Sequence, residues 1–148
     1  MIKTKYCLKV FLLVSVLLLS FHLFLSFWVT NICTWNEGIA FGLFPCLPSV
    51  YLALTKLMLL FVTVFLLCKV FPSLKKFWEI LAIFFLSGLA NIIDRFVHGA
   101  VCDYIAILNF PVMNINDILI STSLIIILVI IFYEEIYHEK RRPGQKSR

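Results

Sequence analysis

Residues 78–104 read WEILAIFFLSGLANIIDRFVHGAVCDY. The run from Trp78 to Phe96 has the apolar length of a membrane-spanning helix, yet it carries Glu79 at one end and Asn91, Asp94 and Arg95 towards the other. Ionisable side chains at membrane depth are costly and face a bundle interior or a water-filled cavity. On a helix Asn91 shares a face with Asp94 and Arg95, three and four residues on. If Glu79 marks one edge of the bilayer, Asp94 lies fifteen residues further, about 22 Å along the axis. The hydrocarbon layer is about 30 Å thick, so Asp94 and Arg95 fall somewhat inside the opposite boundary.

Three further apolar runs surround this one. Val10 to Val29 holds no charge, Val50 to Cys68 is interrupted only by Lys56, and Ile118 to Tyr133 is uncharged, reaching spanning length if its helix starts near Asn114. The chain is 148 residues long, 62% hydrophobic and only 14% charged, which places it among membrane proteins rather than soluble domains. An all-α membrane protein of one domain over residues 1–148 is expected, with spans near 9–29, 50–69, 77–97 and 115–134 and outer loops 30–49 and 98–114. Lys3, Lys5 and Lys9 before an apolar run also describe a signal peptide. The run exceeds a typical signal core and no small-x-small cleavage site follows it, so it reads as an uncleaved span.

Charge sets the orientation. Lysines and arginines cluster before the first span, at Lys69, Lys75 and Lys76, and after the fourth span from Lys140 to Arg148; residues 30–49 and 97–113 contain none. Positive-inside bias puts both termini and the 69–76 connection in the cytoplasm. The net charge of +5 follows from that bias and from contact with anionic head groups, not from nucleic-acid binding.

The chain's only aspartates are Asp94, Asp103 and Asp117, all on the outer side of this topology. Counting back from Glu134, Asp117 is about 26 Å away, again just under the outer surface. Asn114 and Asp117 also suit a helix N-cap and first turn, and Asp94 with Arg95 suits an interface pair. The competing reading is a carboxylate site. Two carboxylates brought together share one proton, so that the ionised member can deprotonate water while the protonated one polarises a carbonyl. The segment Asn36-Glu37-Gly38 suits a turn or bent edge strand where backbone approaches a ligand. Gly88 and Ala90 suit close helix packing.

Asn36-x-Gly38-x-Ala40-Phe41, Asn91-x-x-Asp94-Arg95, Gly99-x-Val101-x-Asp103 and Asn114-x-x-Asp117 together resemble, in order and position, the lipoprotein signal peptidases (signal peptidase II). The resemblance covers almost the whole chain. It implies an intramembrane aspartic endopeptidase that cuts prolipoproteins just before a diacylglyceryl-modified cysteine, at the outer face of a bacterial inner membrane. It implies Asp103 and Asp117 as the catalytic pair, Asn36, Gly38, Asn91, Arg95 and Asn114 as substrate-binding positions, and Asp94 as structural support. A small extracytoplasmic β-cradle would come from residues 30–49. Implied partners are diacylated prolipoproteins and membrane lipids; no cofactor, metal or nucleic acid is expected, and a monomer is. The sequence departs from the family pattern in three places. The acid and lysine usual near the outer part of span one are absent from Leu19 to Ser26, Asn116 replaces a small residue, and Ala90 replaces a glycine. His22 is the polar residue able to stand in on span one, although a lone histidine on an apolar helix is more often simply packed.

Lys56, about 12 Å into its span, either snorkels outward or lines the cavity. Cys33 and Cys46 bracket the first outer motif, which makes a disulfide between them a candidate. No zinc-ligand spacing is present and His98 is isolated. Two other functions use the same residues: a catalytically weakened relative that binds lipidated peptides, and a proton- or ion-conducting protein. The second requires a polar path to the cytoplasm, for which spans three and four offer only Ser87, Ser121, Thr122 and Ser123.

Overall fold

The structure, a computed structural model, describes residues 2–38, 48–108 and 110–140. The described residues form four long helices: α1 (Ile2–Trp28), α2 (Ser49–Val70), α3 (Trp78–His98) and α4 (Ile115–Lys140). Each is long and apolar enough to cross a membrane. Two short strands, β1 (Thr34–Asn36) and β2 (Val101–Asp103), form an antiparallel pair. α1 starts earlier and α4 ends later than the expected spans, because lysine, glutamate and tyrosine continue a helix into the head-group region without penalty. β1 follows α1 and β2 follows α3, so their pairing fixes the C-terminal ends of those helices and the start of α4 at one end of the bundle. The 3-10 segment Pro72–Phe77 joins α2 to α3 at the other end.

The polarity is inverted relative to a soluble bundle. Ser15, His22, Ser26, Ser87, Asp94, Asn114, Asn116 and Ser123 are buried, while Leu13, Leu17, Phe21 and Phe24 on α1 and Phe61 and Phe65 on α2 face outward. That pattern suits lipid as solvent, where packing and interhelical hydrogen bonds replace the hydrophobic effect as the force between helices. α3 is the central helix and touches all three others. Leu19, Ile83, Ala90 and Leu119 join α1, α3 and α4 in one cluster. A Cβ on Gly88 would lie 3.0 Å from Leu60, so the missing side chain sets how closely α2 approaches α3.

α3 ends because Gly99 turns to φ +78 and its amide N–H donates to the Arg95 carbonyl at 3.1 Å. A left-handed residue closing a helix is favourable for glycine alone among common residues. The turn sends the chain directly into β2. The sheet therefore takes one strand from each outer connection, instead of arising wholly within 30–49 as expected from the sequence. Residues 39–47 of that segment, including Ala40, Phe41 and Cys46, lie outside the described residues.

Candidate active site

β1 and β2 pair with Asn36 opposite Val101 and Thr34 opposite Asp103. Strand alternation puts Asn36, Val101 and Asp103 on one face, where all three line a single cavity. Asn36 sits diagonally across the ladder from Asp103, and its Nδ2 donates to Asp103 Oδ2 at 3.0 Å. The opposite face carries Trp35 and Cys102, and Cys102 forms a disulfide with Cys33. The pairing Cys33–Cys46 is thus corrected. Register across two separate connections, not spacing within one, decides which thiols meet.

The start of α4 supplies the second carboxylate. Asn114 is the N-cap: its Oδ1 accepts the amide N–H of Asn116 at 2.8 Å and of Asp117 at 3.1 Å. In return Asp117 Oδ2 accepts the Asn114 amide at 3.2 Å, which completes a reciprocal capping box. The remaining arm of Asn114 donates through Nδ2 to Asp103 Oδ1 at 2.7 Å. Asn91, one turn below Arg95 on α3, donates to Asp117 Oδ1 at 2.9 Å and accepts from Asn116 Nδ2 at 2.8 Å. Each oxygen of both carboxylates thus has one amide donor, and Asn114 touches both groups.

Burial raises the pKa of Asp103 above the usual aspartate value; the donors Asn36 and Asn114 pull it back, and the nearby carboxylate of Asp117 pushes it up again. Asp103 is only 2% exposed. Its proton is therefore held to higher pH than in a solvated aspartate.

Asn91 and Arg95 both face the cavity, whereas Asp94 does not. Asp94 turns instead towards α1, where its Oδ2 lies 3.1 Å from His22 Nε2 and accepts the Cys102 amide at 3.1 Å. The two acids of α3 and β2 therefore sit in separate environments. Arg95 donates to the carbonyls of Glu37 (3.0 Å) and Gly38, which fastens the segment after β1 over the cavity. Lys56 lines the same cavity alongside Asp103 and Asp117 and does not snorkel away.

The cavity measures about 580 Å³. Its walls are apolar on the α2 and α3 side, with Leu59, Leu60, Phe84 and Ile92, and Pro111, Val112 and Met113 close it near α4. Among the described residues no group of three metal-ligating side chains occurs. Sequence reasoning overlooked Asn116 as a site residue and treated it only as a departure; its signal was a further asparagine directly before Asp117 and two residues after Asn114. It also left His22 undecided. The clue was that Ser15, His22 and Ser26 recur on one face of an otherwise apolar helix.

Four candidate spans around an amide-supported pair of carboxylates, Asp103 buried and Asp117 half-buried, define a multi-pass membrane protein with a polar site at one end of its bundle. Residues 4–133 match the signal peptidase (SPase) II family, and the chain belongs to it. A lipoprotein signal peptidase of Helicobacter pylori (strain Shi470) is 30% identical over 106 residues, covering 69% of this chain and 66% of its own length. One of Thermodesulfovibrio yellowstonii is 34% identical over 95 residues, covering 62% of each chain. One of Rickettsia prowazekii is 29% identical over 120 residues, covering 75% of this chain and 60% of its own. The matched part is thus just under two thirds of the first relatives' length, 66% and 62%. No solved structure matches the chain.

Proposed function

We infer that the chain is an intramembrane aspartic endopeptidase that removes the signal peptide from diacylglyceryl-modified prolipoproteins by cutting before the lipidated cysteine. The observation that carries this reading is Asn114, which bonds Asp103 with its side chain while its backbone and cap bond Asp117, so that two carboxylates share one cavity. Family membership and relatives named lipoprotein signal peptidase support the substrate class. Apolar walls beside the acids suit a signal-peptide backbone carrying acyl chains.

In this mechanism Asp103 holds the shared proton and Asp117 is ionised. A water between them loses a proton to Asp117 as its oxygen attacks the scissile carbonyl carbon. Asp103 donates its proton to the carbonyl oxygen, giving a gem-diol. Asp117 then protonates the leaving nitrogen, the C–N bond breaks, and one hydroxyl returns a proton to Asp103. Both acids end as they began. Arg95 contributes by holding residues 37–38, and Asn36, Gly38, Asn91 and Asn114 line or frame the place where the peptide lies. The positions of the basic clusters support cytoplasmic termini and, with them, an extracytoplasmic site in a bacterial inner membrane.

The test is cleavage of one purified diacylated prolipoprotein in detergent, with and without a chelator. A product beginning at the lipidated cysteine, formed at the same rate in both, supports the reading. Binding without cleavage would assign the chain to lipopeptide binding instead.

A further inference from the structure

We propose that His22, on the first span, is a positioning residue that aims the carboxylate of Asp103. The proposal rests on the reading of Asp103 as half of the catalytic pair and adds what holds its strand in place.

β2 is three residues long and, among the described residues, has one partner strand. A single ladder leaves backbone groups on the outer edge to be satisfied by something else. The Cys102 amide N–H is taken by Asp94 Oδ2 at 3.1 Å, and that same oxygen lies 3.1 Å from His22 Nε2. The second ring nitrogen, Nδ1, is 3.4 Å from the hydroxyl of Tyr104. Cys102 and Tyr104 are the chain neighbours of Asp103 on either side. One imidazole is therefore linked to both flanks of Asp103, directly to Tyr104 and through Asp94 to Cys102, while the Asp103 side chain lines the cavity with Asn36 and Asp117.

The ring nitrogens suit these partners. A carboxylate oxygen accepts only, so Nε2 carries the hydrogen it donates to Asp94. A neutral ring then offers Nδ1 as an acceptor for the Tyr104 hydroxyl. His22 and Asp94 are both fully buried, at 0% exposure, which shields their contact from water, while Tyr104 is half-buried. A histidine that merely filled space would not need polar partners on both nitrogens. Asp94 holds one edge of β2, and His22 holds Asp94 and Tyr104. Removing the ring frees two anchors behind Asp103 without touching any atom that meets substrate. A displacement of about 1 Å at a reacting group lowers rate about 100-fold.

The experiment compares His22→Phe, His22→Gln and Tyr104→Phe with Asp103→Asn in the full chain, on a diacylated prolipoprotein in detergent. Rates are normalised to folded protein by size-exclusion recovery and thermal melting. Glutamine places an amide N–H where Nε2 lies and so keeps the Asp94 contact; phenylalanine keeps the ring shape and loses both contacts. The expected result is a fall in kcat of about 100-fold for His22→Phe with KM within about threefold. His22→Gln recovers to within about tenfold of the parent, and Tyr104→Phe loses less than His22→Phe. His22→Phe with parental kcat, or a loss that Gln does not rescue and that only tracks folded yield, overturns the positioning role while Asp103→Asn remains inactive. An active Asp103→Asn variant overturns the catalytic assignment itself, and the inference with it.

Discussion

Asn114 serves as helix cap and as hydrogen-bond donor to Asp103 at once. From the sequence these were rival readings, and capping alone explained Asn114 and Asp117 one residue at a time. The hydrogen bonds show why they need not compete: Oδ1 caps α4 while Nδ2 reaches Asp103. The two roles separate experimentally. Asn114→Ser retains a capping oxygen and loses the amide donor, so thermal stability should stay within about 0.5 kcal/mol while kcat falls at least tenfold; Asn114→Ala should also lose about 1 kcal/mol of stability in a melting experiment. The protonation of Asp103 gives a second prediction. Burial raises its pKa and the Asn36 donor lowers it. If Asp103 must be protonated for catalysis, activity is lost as pH rises through its folded pKa. Removing the donor in Asn36→Ala raises that pKa further. The alkaline limb of the kcat profile should move to higher pH, and a move to lower pH would contradict the assignment. Asp103 in its folded, proton-retaining form also favours the native state at low pH, a contribution lost as pH rises through the same folded pKa.

At the scale of elements, the helices were readable from apolar run length because a bilayer demands it. The sheet was less so. Three-residue strands carry almost no periodicity, and their partners lie in different connections, so only the register brings Asn36 beside Asp103. The same register explains the disulfide between residues 69 apart, which motif spacing misassigned. On α3 the sequence grouped Asn91, Asp94 and Arg95. The helix separates them, with Asn91 and Arg95 facing the cavity and Asp94 facing α1, because i+3 and i+4 neighbours point to opposite sides of the shared stripe. Cys33 lies outside β2, so Cys33→Ser removes the cross-link while leaving the Asp94–Cys102 amide contact in place. It should lower unfolding free energy by about 2–4 kcal/mol, measured by thermal or denaturant melting, with a parallel effect of reductant on the parent and none on the variant.

At the scale of the whole molecule, the buried polar stripe and lipid-ready exterior explain why 62% hydrophobic composition coexists with a hydrogen-bonded centre. Charge bias predicts orientation, which packing alone leaves open. A Lys75→Cys variant, with Cys7, Cys46 and Cys68 changed to Ser, should resist a membrane-impermeant thiol reagent added to intact cells and react after permeabilisation. Labelling in intact cells would reverse the topology and put the carboxylates on the wrong side of the membrane. Four helices of membrane-spanning length were evident from the sequence. The interior contacts of α1 were not, since a single histidine among leucines and phenylalanines reveals its partner only once α3 is packed against it.

The claim underlying all of this is that Asp103 and Asp117 work as one unit on one water. Residues that act together lose activity together, so their effects do not add. The most direct measurement is single-turnover cleavage of a diacylated prolipoprotein by Asp103→Asn, Asp117→Asn and the double variant, each confirmed folded. All three should show the same residual rate, about 1000-fold or more below the parent. A single variant retaining parental rate, or a double variant whose loss is the product of two modest single losses, would contradict the shared role.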